Sequence, residues 1–218
     1  MVELISLHIP KTAGSAFKSV LQNIYQESLF LDYDNATADV QKVKAIHGHM
    51  PANKYAEICP DAKYVMWIRN PVERIISYYY FWMRTAPHGN PNNDYVVNNQ
   101  LSLIEFAQFP PIRNEFFGYY LQNFNIDRFF FIGITERFTQ DIQKLAQKLS
   151  WPTISISKEN VAPRRPEVSD SVRDKIVKLY KKELELYKHI VNSQQTTLRI
   201  RLRKYFDITR LFAKHRSF

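Results

Sequence analysis

Three short stretches hold residue types that could do chemistry on an anion: "HIPKTAGSAF" (His8 to Phe17), "IHGHM" (Ile46 to Met50) and "IRNPVERIISYYYF" (Ile68 to Phe81). Where a strand turns into a helix, unpaired backbone N–H groups and the positive end of the helix dipole point outward and bind anions. In the first stretch Lys11 adds a full charge, Thr12 and Ser15 add hydroxyl donors, and Gly14 lets the backbone approach a ligand. The lysine comes before the glycine. A Walker A loop, G-x-x-x-x-G-K-[ST], has the other order and does not occur here, and no acidic residue ends a later apolar strand as a magnesium ligand would. Alone, the stretch reads equally as a plain strand-to-helix turn.

The other two stretches add to it. Arg69 stands at the end of an apolar run, where a guanidinium can hold a phosphate through two parallel hydrogen bonds. Ser77 follows two helical turns later, and Arg74 shares a face with Asn70. The plainer reading pairs the arginines with Glu73 or solvent and leaves an interior serine. His47 and His49 sit two apart, so an extended backbone points them the same way, with Gly48 allowing close approach. Imidazole suits the task of accepting a proton near neutral pH. The alternatives are one core and one surface histidine, or a two-histidine metal site for which no third ligand is visible. His8 reads as structural.

The elements that must position these residues follow from the apolar pattern. Glu3–Ile9 is a strand stopped by Pro10, and helical spacing of Phe17, Val20, Leu21 and Ile24 follows from Ser15. "KAIHGHM" gives a strand ending near His47, and Ala62–Arg69 gives the clearest one. Pro71 suits the first turn of a helix that runs to about Arg84. Residues 85–100 form a polar stretch that reads as a surface loop or a lid. Helices over "SLIEFAQF" and "RNEFFGYYLQNF" come next, then a strand, Arg128–Ile134, and a helix after it. A second loop carries Arg164 and Arg165, before a long amphipathic helix from Ser171 to Val191. Strands alternating with helices predict a parallel sheet covered on both faces, with the turns after Ile9, Ile46 and Ile68 facing one crevice.

Length and charge bound the rest. The 218 residues suit one ordinary domain, and 45% hydrophobic and 14% aromatic content is that of a globular protein. No apolar run approaches a membrane span. "MVELISLHIP" has neither a basic n-region nor a cleavage site, and Cys59 is alone, which excludes an internal disulfide and a Cys-rich zinc site. These features predict a cytoplasmic protein. The net charge of +9 points to anionic partners. We divide the chain into a domain, 1–192, and a basic amphipathic segment, 193–218, where seven Lys and Arg residues from Arg199 to Arg216 stand against Asp207. That segment suits packing or peripheral membrane-surface contact. No nucleic-acid motif accompanies it, so nucleic acid is not an expected partner.

Taken together, the stretches resemble those of PAPS-dependent sulfotransferases. "HIPKTAGSAF" resembles the family's 5′-phosphosulfate loop, and "IRNPVERIISYYYF" its 3′-phosphate element R-x-P-x-x-R-x-x-S-x-Y, filled here by Arg69, Pro71, Arg74, Ser77 and Tyr79. The pattern is similar to the carbohydrate (Golgi-type) branch. "IHGHM" resembles the His-Gly-His segment of hexuronic acid 2-O-sulfotransferases, and "FFFIGITERF" resembles a strand-helix of that branch. The likeness covers residues 4–84 closely and 113–190 loosely.

The resemblance implies an α/β, P-loop-like three-layer fold with a mostly parallel central sheet flanked by helices. It implies PAPS as donor, PAP as product and no metal. Lys11, Thr12, Ala13, Gly14, Ser15, Ala16, Arg69 and Ser77 would bind the donor, with Arg164 and Arg165 in a late basic loop over the nucleotide or the acceptor. Lys11 would stabilise the leaving group and His49 would be the base, with His47 supporting it or contacting the acceptor. The acceptor would be a hydroxyl on a glycan or glycolipid. Two other readings are a magnesium-dependent nucleotide phosphotransferase and a non-catalytic anion-binding protein that uses the basic tail.

Overall fold

A computed structural model describes residues 1–33, 36–85, 87, 89–155 and 166–194. Five strands, β1 (Leu4–Leu7), β2 (Leu29–Asp32), β3 (Ala45–Gly48), β4 (Lys63–Ile68) and β5 (Phe129–Ile134), form one sheet in the order β2-β3-β1-β4-β5. Every pairing is parallel. Near-continuous apolar runs such as "LISL" and "KYVMWI" suit this arrangement, because parallel strands are buried on both faces. The α/β class with helices flanking a parallel sheet is therefore as the sequence predicts.

One face of the sheet presents Ile5, Leu7, Ile46, Tyr64, Met66 and Ile68 to Phe116, Tyr120, Leu186 and Ile190. The other presents Leu4, Ala45, Val65 and Trp67 to Phe17 and Leu21 of α1 (Gly14–Tyr25), and to Ile142 and Leu145. A third cluster joins α2 (Pro71–Trp82) to later helices through Ile75, Ile76, Trp82, Phe106, Ile176 and Tyr180. Asn70 starts α2, its side chain accepting from the N–H groups of Val72 and Glu73 with Pro71 in the first turn. Among the described residues, no helix is long and apolar enough to cross a membrane.

The structure differs from the expected elements in four places. Strand β2 was not anticipated. It has four residues, follows a 3-10 turn (Gln26–Ser28) directly after α1, and ends in a buried aspartate that accepts from Lys54 and Tyr55. The polar stretch 85–100 holds a helix, α3 (Pro91–Asn98), capped by Asn90, with Asn93 and Val96 buried. Beyond α4 (Leu103–Gln108) comes a short helix that was not expected, α5 (Pro110–Arg113), and the segment 113–124, expected as one helix, holds only a π-helical turn, Glu115–Tyr120. After α6 (Phe138–Lys148), the long amphipathic helix breaks at Tyr180, into α7 (Asp170–Leu179) and helical residues 181–194. The basic segment beyond residue 194 lies outside the described residues.

Arg74 ties three of these pieces together. It is fully buried, donating from Nε and Nη2 to Glu183 at 3.0 and 3.1 Å and from Nη1 to Glu115 at 3.1 Å. Burial opposes its charge, but Glu183 and Glu115 outweigh that and raise its pKa. Burial in turn pushes Glu115 up to about 7 against the pull of Arg74. Removing one partner of a buried pair leaves an uncompensated charge, at a cost of about 3–5 kcal/mol. Arg74→Met is therefore expected to destabilise the fold by roughly that amount in urea unfolding at neutral pH. The loss should shrink toward pH 5, where the stranded carboxylates take up protons.

Candidate active site

Strand β1 ends at Leu7, and the chain reaches α1 through a turn that uses left-handed backbone at two residues other than glycine, Lys11 (φ 64) and Ala13 (φ 67). Such conformations cost on the order of 1–3 kcal/mol each and persist only where the surroundings enforce them. One such restraint is Thr12, fully buried, whose Oγ1 donates to Ile9 O at 2.8 Å. Its hydroxyl thus serves the turn itself. Helix α1 opens with no side-chain cap and no acidic residue, and its first internal bond runs from Phe17 N to Ala13 O. The N–H groups of Gly14, Ser15 and Ala16 consequently have no acceptor within the helix. A Cβ on Gly14 would lie 1.8 Å from His8 Cδ2, so this glycine makes room for the His8 ring.

The arginine stretch meets this turn. Arg69 Nη1 donates to Lys11 O at 3.3 Å, across 58 positions of sequence. Lys11 Nζ lies 4.2 Å from the centre of the Phe81 ring. Ser77 and Phe81 are four apart on α2 and so share a side of it, the one that turns toward Lys11, and Arg84 follows in the turn just beyond the helix. Burial, then the charges of Arg69 and Arg84, push the Lys11 pKa down. A group of like charges of this kind is relieved by an anion. Arg74, which the motif groups with Arg69, is not part of it: its charge is met by Glu115 and Glu183 in the interior.

Three histidines stack at the ends of β1 and β3. His8 lies between, its ring centre 5.1 Å from that of His47 and 4.3 Å from that of His49. His47 is fully buried beside Phe17, its Nδ1 2.8 Å from Ser6 Oγ and its Nε2 without a hydrogen-bond partner. Burial, then the charge of His49, hold it down at about 3. Of the two roles expected for His47, supporting the base or contacting the acceptor, the supporting one accords with this burial. Burial, then His49 and His47, hold His8 at about 2, and its Nδ1 meets Tyr33 Oη at 2.8 Å. His49 is exposed, one residue beyond β3. Its Nδ1 lies 2.5 Å from His8 O, and a carbonyl only accepts, so the proton sits on Nδ1 and the lone pair on Nε2.

The sequence did not single out Tyr33, Phe81, Arg84, Tyr119 or Tyr120. Helical spacing from Ser77 would have reached Phe81 and Arg84. The tyrosines depend on β2 and the π-helical turn, which left no periodic signal. Ser15 is exposed, and Ala13 and Ala16 are partly so. Trp67 and Trp82 are core residues. Arg164 and Arg165 lie outside the described residues.

A family model described as "Sulfotransferase family" matches residues 2–189. No curated protein matches the chain. Among solved structures, the mouse sulfotransferase SULT7A1 complexed with PAP aligns with a TM-score of 0.47 and 14% identity, over 81% of this chain and 62% of that one. The chain thus spans about three-fifths of the mouse protein's length in that structure. A sulfotransferase from Alicyclobacillus acidocaldarius aligns with a TM-score of 0.48 and 13% identity, over 87% of this chain and 96% of that one.

The buried histidines set an acid limit on stability. The folded chain keeps His8 and His47 neutral far below the ordinary value of 6.5, so the unfolded chain binds more protons below that pH. Their contribution is complete above pH 6.5 and is lost as pH falls toward 3, by about 1.4 kcal/mol per pH unit for each histidine. Urea unfolding of wild type and His47→Gln should differ in pH slope by an amount that grows from about a quarter of a proton at pH 7 to about one proton at pH 5.

Proposed function

The chain belongs to the sulfotransferase family, and from that premise we propose that it is a cytoplasmic enzyme moving a sulfuryl group from PAPS to a hydroxyl of a glycan or glycolipid. One observation carries the reading: Arg69 Nη1 reaches Lys11 O at 3.3 Å, so the two phosphate-type stretches meet at one place. The donor set fits a doubly phosphorylated nucleotide. It comprises the crowded Lys11, the N–H groups at the start of α1, Arg69, Ser77 on α2 and Arg84 just beyond that helix.

Bound PAPS supplies a neutral SO₃ equivalent on a phosphate leaving group. Lys11 holds the negative charge that grows on the leaving oxygen, and the turn from Thr12 to Ala16 orients the phosphate through its backbone. Arg69 and Ser77 take the 3′-phosphate, and we assign Arg164 and Arg165 to the same nucleotide or to the acceptor. His49 Nε2 takes the acceptor's proton, and His47 supports that residue through the His8 ring stacked between them. The basic residues between 193 and 218 suit a membrane surface that presents a glycolipid.

Calorimetric titration with PAP and turnover with labelled PAPS over a panel of sugars and lipids test the reading. Lys11→Ala should lose about 100-fold or more in turnover and bind PAP more weakly. His49→Ala should lose about 10²- to 10⁴-fold in turnover and bind PAP as wild type does. Normal turnover in His49→Ala removes it as base. Failure of wild type to bind PAP at micromolar concentration, or dependence of its activity on magnesium, overturns the assignment.

A further inference from the structure

We propose that Tyr120 is a positioning residue for the proton acceptor, holding the His49 ring in the one tautomer that leaves Nε2 free of hydrogen, while Tyr119 fixes the same residue by its backbone. The inference rests on the reading of His49 as base. Tyr120 is buried, and its Oη lies 3.1 Å from His49 Nδ1. The same nitrogen faces the His8 carbonyl, which can only accept. The Nδ1 hydrogen is thus shared between that carbonyl and the phenol oxygen. When Nε2 takes a proton, Nδ1–H becomes a charged donor and both contacts strengthen, so the pair favours the protonated ring. Burial raises the Tyr120 pKa well above the ordinary phenol value, which keeps its hydroxyl neutral beside the ring.

The adjacent residue acts on the backbone. Tyr119 Oη donates to His49 O at 3.0 Å, and Tyr120 O accepts from Ala52 N at 2.8 Å. Two successive residues of the π-helical turn Glu115–Tyr120 therefore hold the chain from His49 to Ala52. Turns of this kind occur frequently at functional sites. The turn is anchored at its first residue, where Glu115 accepts from Arg74 and from Tyr78 Oη on α2. A continuous set of bonds thus runs from the helix that follows Arg69 to the imidazole at the acceptor side. The groups facing His49 include His8, stacked at 4.3 Å, Tyr33, edge-on at 5.1 Å, and Tyr120, with the His47 ring beyond His8.

The test uses the full chain and Tyr120→Phe, which keeps the buried ring and removes only the hydroxyl. Long-range ¹H–¹⁵N spectra of histidine-labelled protein should show His49 protonated at Nδ1 in wild type. In Tyr120→Phe the His49 titration should move down by roughly half a pH unit, because the protonated ring loses an acceptor. The acid limb of kcat/KM should follow it, with kcat lower by about five-fold and PAP affinity unchanged. A shifted titration without a shifted pH profile supports the hold on the ring and removes His49 as base. A wild-type ring protonated at Nε2, or a titration unmoved by Tyr120→Phe, overturns the proposal. The wild-type tautomer decides it even where the variant does not fold.

Discussion

Strand β1 lies between β3 and β4, with Leu7 opposite Gly48 on one side and Met66 on the other. This register brings the ends of β1 and β3 level, with β4 running on two residues to Ile68. The chain first builds β2 and β3 to one side of β1, then crosses to β4 and β5 on the other. The reversal of direction opens a crevice beyond the carboxyl ends of the strands. Arg69 can reach the Lys11 carbonyl, and His49 the His8 carbonyl, because those pairings are in place. A slip of one residue in β1 would turn His8 to the other face and carry both contacts with it. Gly48 also protects the register at the edge, since a Cβ there would lie 1.8 Å from the backbone oxygen of Asp32 on β2.

Within this frame, charge is partitioned by burial. Arg69 and Arg74 are five positions apart in one motif, yet their neighbours are of opposite kinds. Arg74 sits in the interior with two carboxylates and holds α2 against the π-helical turn and the helical residues 181–194. Arg69 is only partly buried and adds to the positive field that lowers the Lys11 pKa. Arg74 is structural, because its charge is met within the fold.

How much of this was legible in the sequence depended on the range of each contact. Strand β4 and the start of α2 were plain, because six apolar-rich residues followed by Asn-Pro carry local signals. Strand β2 was hidden by its length and by Asp32, whose charge is matched by Lys54 and Tyr55 more than twenty positions later. Arg74 was placed on one face with Asn70, but its side chain finds Glu183 across 109 positions, and Glu73 pairs with Arg173. No local pattern reports such a pairing. Gly14 was read as a place where the backbone can approach a ligand; the need for glycine that the fold itself sets there, an imidazole from the end of β1 where a Cβ would stand, left no local signal.

The stacked histidines differ in their capacity to hold a proton. Rings whose centres lie 4.3 and 5.1 Å apart cannot all carry a charge, since each proton repels the next. Burial then decides which ring holds it. His47 lies beneath α1 and His8 is packed over Gly14, so a charge on either is poorly solvated. His49 stands in water with its Nδ1 hydrogen fixed by a carbonyl, and its charge is among the causes that keep the other two neutral. The two inner rings thus remain neutral packing partners across the pH range in which an ordinary imidazole titrates. A proton taken up by the stack therefore stays at the outer ring instead of passing inward.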